Sequence, residues 1–160
     1  MNITDQDIYF MRMALNEAQE AFYQGEVPVG AILVIDGVVV AAARNSREAT
    51  FDPTGHAELT VVREAAMLTG NWRLSNATLY VTKEPCPMCA GAMVNARLGR
   101  LVYGCGDTKG GAVANLYQLL SDPRLNHQVA VVSGVLEEEC AQLLKSFFAG
   151  RRGGKEDKEL

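Results

Sequence analysis

The sequence of 160 residues has little that would place it in a membrane. It has no apolar run near the roughly 18 residues that a membrane-spanning helix needs. The longest such run, from Val27 to Ile35, ends at Asp36. The N-terminus, MNITDQDIYF, has two acids and lacks the basic and apolar regions of a secretory signal peptide. The sequence therefore predicts a protein without membrane contact, and we expect it in the cytoplasm.

An excess of positive charge is also missing, since the net charge is -4 and the pI about 5.2. This argues against binding of nucleic acid through bulk charge, although a local basic patch remains compatible with it. Cysteine is scarce, with 4 in the chain. Without an export signal, such cysteines are more often metal ligands or free thiols than disulfides.

What is present is a 48% hydrophobic composition, enough for a core without disulfides, and a length typical of one domain. Helical periodicity, a hairpin signal at Asp36-Gly37 and short β-branched runs alternate along the chain, which predicts an α/β/α layered domain. We expect residues 1–152 to form this domain and 153–160 to be a mobile charged tail. The predicted helices are 8–22, 56–67, 87–96, 116–120 and 136–148, with the last ended by Gly150; the predicted strands are 29–35, 38–43, 78–82, 100–104 and 129–133.

Two short motifs carry recognisable chemistry: His56-Ala57-Glu58 and Pro85-Cys86-Pro87-Met88-Cys89. One imidazole and two thiolates suit zinc, which prefers nitrogen and sulfur ligands in a tetrahedron. Each motif lies at the predicted start of a helix, where the helix dipole favours thiolates. We therefore predict a zinc site made of His56, Cys86 and Cys89.

Three protein ligands leave one coordination position open for water, which is the catalytic rather than the structural arrangement. Glu58 is then the candidate proton carrier. The residues alone leave other interpretations open. The thiols could be buried without metal, Glu58 could only stabilise a helix terminus, or a structural zinc could take a fourth ligand from Cys105, His127, Cys140 or Glu58.

The two motifs together resemble those of the zinc-dependent nucleoside and nucleobase deaminases, a class whose mechanism is well described. Further segments resemble the bacterial tRNA-specific adenosine deaminases over roughly residues 5–152. These segments are residues 26–31, 52–54, 78–82, 84–86 and 89–92, together with Asp107-x-Lys109-x-Gly111, Asn126-His127 and Phe147-Phe148. Lys83 departs from the resemblance, because an apolar residue is frequent at that position.

The resemblance implies a three-layer α/β/α cytidine-deaminase-like fold with a mixed five-stranded sheet, assembled as a homodimer. It also implies hydrolytic deamination of adenosine to inosine at the wobble position of a tRNA anticodon. In that reaction His56, Cys86 and Cys89 bind one Zn²⁺ per subunit, and Glu58 transfers protons. The implied partner is the tRNA anticodon stem-loop.

The resemblance further assigns substrate contacts. Asn45 and the backbone N–H of Ala57 correspond to groups beside the flipped base, and Asp107 and Lys109 to loop residues that contact RNA. The C-terminal segment with Phe148, Arg151 and Arg152 corresponds to one that binds the anticodon loop. The helical stripe predicts that Phe147 packs in the core, which leaves Phe148 for base stacking.

Two alternative functions share the same motifs. A deaminase of a free nucleobase or nucleoside, of guanine or cytosine type, would use the same zinc and glutamate but needs a closed pocket. A zinc-stabilised RNA-binding module would have a fourth protein ligand and would release no ammonia. The predicted loop at Asp107 and the C-terminal aromatic and basic residues favour an RNA substrate.

Overall fold

A computed structural model describes residues 2–152, and for Arg152 only the backbone. The predicted tail, 153–160, lies outside the described residues. Among the described helices, none is long and apolar enough to span a bilayer. The elements are α1 (Asp5–Tyr23), β1 (Gly30–Ile35), β2 (Val38–Arg44), α2 (Ala57–Thr69), β3 (Ala77–Lys83), α3 (Pro87–Asn95), β4 (Arg100–Cys105), a 3-10 turn (Leu119–Ser121), β5 (Ala130–Val132) and α4 (Glu137–Arg152).

The five strands form one mixed sheet in the order β2-β1-β3-β4-β5. β1 pairs antiparallel with both β2 and β3, whereas β3, β4 and β5 pair in parallel. It follows that β2 runs in the same direction as β3 and β4. The segments that leave the ends of these three strands therefore emerge at the same edge of the sheet, which we call the pocket edge.

Helices cover both faces, which confirms the predicted three layers and mixed sheet. One apolar cluster joins α1 and α4 to one face through Met11, Ile32, Val102 and Cys140. The other joins α2 and α3 to the opposite face, where Val61, Leu79, Met93 and Leu101 pack together. The alternation of Ile32 and Leu33 between the two clusters is the period-two pattern of a strand buried on both sides.

Several predicted element details were wrong. α4 does not end at Gly150 but continues to Arg152. A glycine that is not followed by a left-handed cap weakens a helix without ending it. The predicted helix 116–120 is only a 3-10 turn at Leu119–Ser121, since so short a segment cannot nucleate an α-helix alone.

Two helix boundaries follow familiar cap chemistry, because Thr4 caps α1 and Gly70 ends α2 in the left-handed conformation.

The starts of α2 and α3 bring the two motifs together. α2 begins after the loop that leaves β2, and α3 begins directly after β3. His56 is the N-cap residue of α2 and Cys86 that of α3, so both motifs lie at the pocket edge.

Candidate active site

A cavity of about 260 Å³ opens at the pocket edge. Six of the residues proposed from the sequence line it or form its floor. Its lining also contains side chains from β3, from the segment before β1 and from α4. The lining residues are Val27, Val29, Asn45, Arg47, His56, Ala57, Glu58, Lys83, Glu84, Cys86 and Phe148.

The three predicted metal ligands converge on one point. His56 Nδ1 lies 3.6 Å from Cys86 Sγ and 3.5 Å from Cys89 Sγ. A tetrahedral zinc bound at about 2.0 Å to nitrogen and about 2.3 Å to sulfur would hold these atoms about 3.6 Å apart. The donor set therefore fits zinc in chemistry and spacing. Among residues 2–152 the group has three donors, and its atoms all lie within 4.8 Å of one another.

Three of the four groups considered as a fourth ligand lie elsewhere, whereas Glu58 lines the same cavity but is not part of the donor group. Cys105 and Cys140 belong to the apolar cluster on the opposite face of the sheet. His127 Nε2 lies 2.7 Å from the carbonyl oxygen of Leu98. Within the described chain, the arrangement is therefore the open one, with a cavity beside three ligands.

The surroundings of Cys86 favour its thiolate form. A hydrogen bond with the Cys89 thiol lowers the pKa of Cys86 to about 4, and the contact with His56 acts in the same direction despite burial. Hydrogen bonding to Cys86, together with burial, raises the pKa of Cys89. Zinc binds cysteine as thiolate, so its binding would release any proton that the two thiols hold.

Glu58 is buried, at 4% exposure, and its carboxyl group faces the cavity from the first turn of α2. Burial raises the pKa of Glu58, and the Cys86 thiolate adds to that effect. His56 and Lys83 act in the opposite direction. A buried carboxyl group beside a metal-binding set is the arrangement expected of a proton carrier.

Asn45 is fixed at the wall of the cavity. Its side-chain Nδ2 donates to the carbonyl of Val27 at 3.2 Å, and its Oδ1 accepts from the N–H of Arg47 at 3.3 Å. Each of these groups keeps further capacity for a ligand, since an amide has two donors and two acceptor lone pairs. Ala57 is the first residue of α2, so its N–H has no partner within the helix.

Asp107 organises its own loop. Its Oδ1 accepts from the N–H groups of Lys109 at 3.0 Å and Gly110 at 3.1 Å, while its Oδ2 lies 3.1 Å from Lys83 Nζ. These bonds lower the pKa of Asp107 against the opposing effect of burial. Asp107 is thus bonded to the lining residue Lys83 without itself lining the cavity, and Lys109 is exposed.

The C-terminal aromatic pair divides as the helical stripe predicted. Phe147 is buried and packs against Phe22, with ring centroids 5.8 Å apart, whereas half-buried Phe148 lines the cavity. The Arg151 guanidinium lies over the Phe147 ring at 5.2 Å. The side chain of Arg152 lies outside the described residues.

Sequence reasoning missed five lining residues: Val27 and Val29, which form an apolar wall, the cation Arg47, and the adjacent Lys83 and Glu84. The apolar wall carries no chemical signature. Lys83 and Glu84 could have been noticed, because two charged residues follow an apolar strand directly before the cysteine motif. Lys83 had been recognised only as a departure from the resemblance.

Comparison with known proteins identifies the family. A family profile described as MafB19-like deaminase matches residues 4–152. A tRNA-specific adenosine deaminase of Bacillus subtilis is 51% identical over 150 residues, which cover 94% of this chain and 93% of that protein. The chain belongs to the tRNA-specific adenosine deaminase family. A relative with the same name from Haemophilus influenzae is 46% identical over 150 residues, covering 93% of this chain and 87% of its own.

Solved structures agree with this membership. A structure from a study of A-to-I editing by tRNA:A34 deaminases at the wobble position of transfer RNA has a TM-score of 0.82 and 47% identity. The match covers 85% of this chain and 99% of that one. Guanine deaminase from Nitrosomonas europaea has a TM-score of 0.78 at 18% identity, covering 93% of this chain and 87% of that one, so its likeness concerns the fold alone.

Proposed function

We propose that this protein hydrolytically deaminates adenosine to inosine at the wobble position of a tRNA anticodon, with zinc as its resident metal. One observation carries the proposal. His56 and Cys86 line one cavity with buried Glu58, and Cys89 completes their donor group, in a chain 51% identical to a tRNA-specific adenosine deaminase.

The reaction adds a water oxygen to C6 of adenine and releases the C6 amino group as ammonia. The two protons of that water end on N1 of the base and on the ammonia, so a proton carrier must serve both positions. Glu58 has this role in our proposal, because its buried side chain lines the cavity two residues after the candidate ligand His56. The other buried acid of the lining, Glu84, is instead bonded to backbone N–H groups. When bound, zinc supplies the Lewis acidity that makes water nucleophilic near neutral pH.

The rest of the cavity would hold the base. Asn45 and the N–H of Ala57 offer hydrogen-bonding groups for its edge, and the apolar walls at Val27 and Val29 exclude water from its faces. Phe148 would cover the flipped nucleotide from α4. We propose that Asp107, Lys109, Arg151 and Arg152 contact the anticodon stem-loop around the entrance.

We infer a homodimer from the outer face of the layer that contains α2 and α3. Large apolar side chains are exposed there, with Met67 at 82%, Leu68 at 71% and Trp72 at 57%. Leu116 and Tyr117, beside the 3-10 turn, are also more than half exposed. Clustered exposed apolar residues favour association with a second copy. Sedimentation of the protein and of Met67→Glu would test this, since the variant should shift toward monomer.

We further propose that residues 1–152 act as one domain in the cytoplasm, where tRNA substrates are found. The family profile spans residues 4–152, which supports one catalytic unit of that extent. Removal of 153–160 should then leave folding and activity on the stem-loop within about twofold, since termini beyond a packed domain tolerate truncation.

The decisive experiment uses zinc-loaded protein and an anticodon stem-loop with adenosine at the wobble position. Parallel reactions contain free guanine, cytosine or adenosine. We expect inosine in the RNA and no ammonia from the free compounds. Ammonia from a free base alone would replace this proposal with a nucleobase deaminase, and stem-loop binding without ammonia release would replace it with an RNA-binding module.

The metal is tested separately by Cys89→Ser. Because that substitution removes one of three ligands, the purified variant should lack stoichiometric zinc and show no detectable deamination. Cys105→Ser is the matched control, since Cys105 is equally buried but belongs to the cluster on the other face of the sheet. Stoichiometric zinc retained by Cys89→Ser would contradict the assigned site.

A further inference from the structure

Glu84 is a buried carboxylate that the proposed chemistry does not use. It is 2% exposed and lies between the end of β3 and the Cys86 motif. Its Oε1 accepts from the N–H of Asp107 at 3.0 Å. Its Oε2 accepts from three successive N–H groups, those of Val113 at 3.0 Å, Ala114 at 2.7 Å and Asn115 at 3.0 Å.

Every one of these donors belongs to the 106–115 loop, which contains Asp107 and Lys109. The side chain of Asn115 also donates to Glu84. The loop backbone needs glycine at 111 to come this close, because a Cβ there would overlap the Glu84 carboxyl group. Backbone dipoles rather than a basic side chain therefore hold this carboxylate, as in anion-binding nests.

The neighbours of Glu84 extend the same connection. The N–H of Glu84 donates to the carbonyl of Cys105, and the carbonyl of Pro85 accepts from the N–H of Ala112, each at 2.8 Å. Lys83, on the other side, pairs with Asp107. The segment just before Cys86 is thus bonded to both ends of the 106–115 loop.

We propose that Glu84 is a positioning residue for RNA: it fixes the 106–115 loop at a set distance from the metal-binding cysteines, so that RNA held by the loop presents its adenosine to Glu58. This inference rests on the proposed function. The loop contacts nucleotides outside the reacting base, so its displacement weakens ground-state and transition-state binding alike. Such a loss appears in KM rather than in kcat.

Glu84→Gln tests the proposal with little change of shape. The amide replaces one acceptor oxygen with a donor, which opposes the N–H groups of the loop. We expect KM for the stem-loop to rise about tenfold or more, with kcat changed by less than about threefold and zinc retained. An unchanged KM, or loss of zinc, would overturn the proposal.

Gly111→Ala perturbs the same contact from the side of the loop. Its added methyl group should displace the loop from Glu84 and raise KM in the same way. Because both substitutions break one contact, the double variant should be at most about threefold worse than the worse single variant. Independent, multiplying losses would contradict a shared role. If Glu84→Gln does not fold, the KM of Gly111→Ala alone decides the question.

Asp7→Asn is the matched control for a merely structural effect. Asp7 is also a buried acid with several hydrogen bonds, but it lies beside Arg100 at the start of β4, at the opposite edge. We expect lower stability with KM and kcat within about twofold of the parent. If this variant raises KM as much as Glu84→Gln does, the effect is general destabilisation and the proposal fails.

Amide exchange provides a readout that does not need activity. In Glu84→Gln the amides of Val113, Ala114 and Asn115 should exchange at least about tenfold faster, because they lose an ionic acceptor. A faster-exchanging loop with unchanged KM would refute Glu84 as a positioning residue while leaving the proposed function intact. An inactive parent protein would refute the proposed function instead.

Discussion

Both edges of the sheet contain buried carboxyl groups, but the groups that surround these carboxyls differ. At the edge where β4 begins, Asp7 receives two hydrogen bonds from Arg100, at 2.9 and 2.8 Å, and one from the Tyr80 hydroxyl at 3.0 Å. Burial alone would raise the pKa of Asp7, but these donors and the Thr4 N–H lower it. Burial and the hydrogen bond with Asp7 raise the pKa of Tyr80 to about 12.

At the pocket edge the two buried acids diverge. Burial would raise the pKa of Glu84 as well, but backbone N–H groups of the 106–115 loop lower it to about 2. Glu58 has no such set of donors, and burial raises its pKa. Burial is common to all three acids, so the partners decide the charge state. We therefore propose that Asp7 contributes to stability, Glu84 to loop geometry and Glu58 to proton transfer.

The largest expected effect is at the pocket edge. Glu58→Gln should retain zinc but lower kcat on the stem-loop by about 10²–10⁴-fold, because it removes the proton carrier. The free energy of unfolding should stay equal or rise, since a neutral amide is buried more easily than a carboxylate. Metal content, kcat and urea unfolding would be measured together. If Glu58→Gln has near-normal turnover or is clearly less stable, the proposed difference between the pocket edge and the edge where β4 begins is wrong.

At the opposite edge of the sheet, Arg100→Met should lower the stability of the protein but leave its activity nearly unchanged. This variant leaves the buried carboxylate of Asp7 without its cation and should lower the free energy of unfolding by about 3 kcal/mol. The kcat of the folded enzyme should remain within about twofold, because Arg100 is remote from the cavity. Urea unfolding and stem-loop kinetics check both statements. A loss of activity with stability unchanged would contradict the division.

Acid stability offers a finer test of the same edge. Because the pKa of Asp7 is lower in the folded chain than its ordinary value of 3.8, its contribution is present above about pH 4 and is lost as pH falls below that. The stability advantage of the parent over Asp7→Asn should therefore shrink between about pH 4 and pH 2. Unfolding of both proteins across that range would measure it. A constant difference would mean that Asp7 is not held charged by its partners.

The smallest effect is expected at an ion pair whose side chains are about half exposed to water. Arg12 and Glu139 form a 3.0 Å ion pair between α1 and α4, with side chains 53% and 51% exposed. Arg12→Gln should change the free energy of unfolding by less than about 0.5 kcal/mol, because water screens such pairs. Thermal unfolding compared with Arg100→Met would measure it. Equal losses in the two variants would show that burial does not set the scale.

The layered fold, the family and the His56, Cys86 and Cys89 group that could hold a metal were all predictable from the sequence. Those features depend on local periodicity and on short motifs, and His56-Ala57-Glu58 and the Cys86 motif each lie within one turn of a helix start. Asn45 and Phe148 followed from resemblance, and both line the cavity. The end of α4 was misjudged because glycine is a weak stop signal when packing continues past it.

The partners of the buried acids could be identified only from the three-dimensional structure. Asp7 and Arg100 are 93 residues apart in the chain, and Glu84 meets its donors 23 to 31 residues later. No local pattern encodes such pairs, because they form only when strand order and direction bring distant segments to one edge. The pKa of a carboxyl group depends on the residues that surround it in the folded chain. The candidate catalytic residues could therefore be proposed from the sequence, but the residues that hold them in place could not.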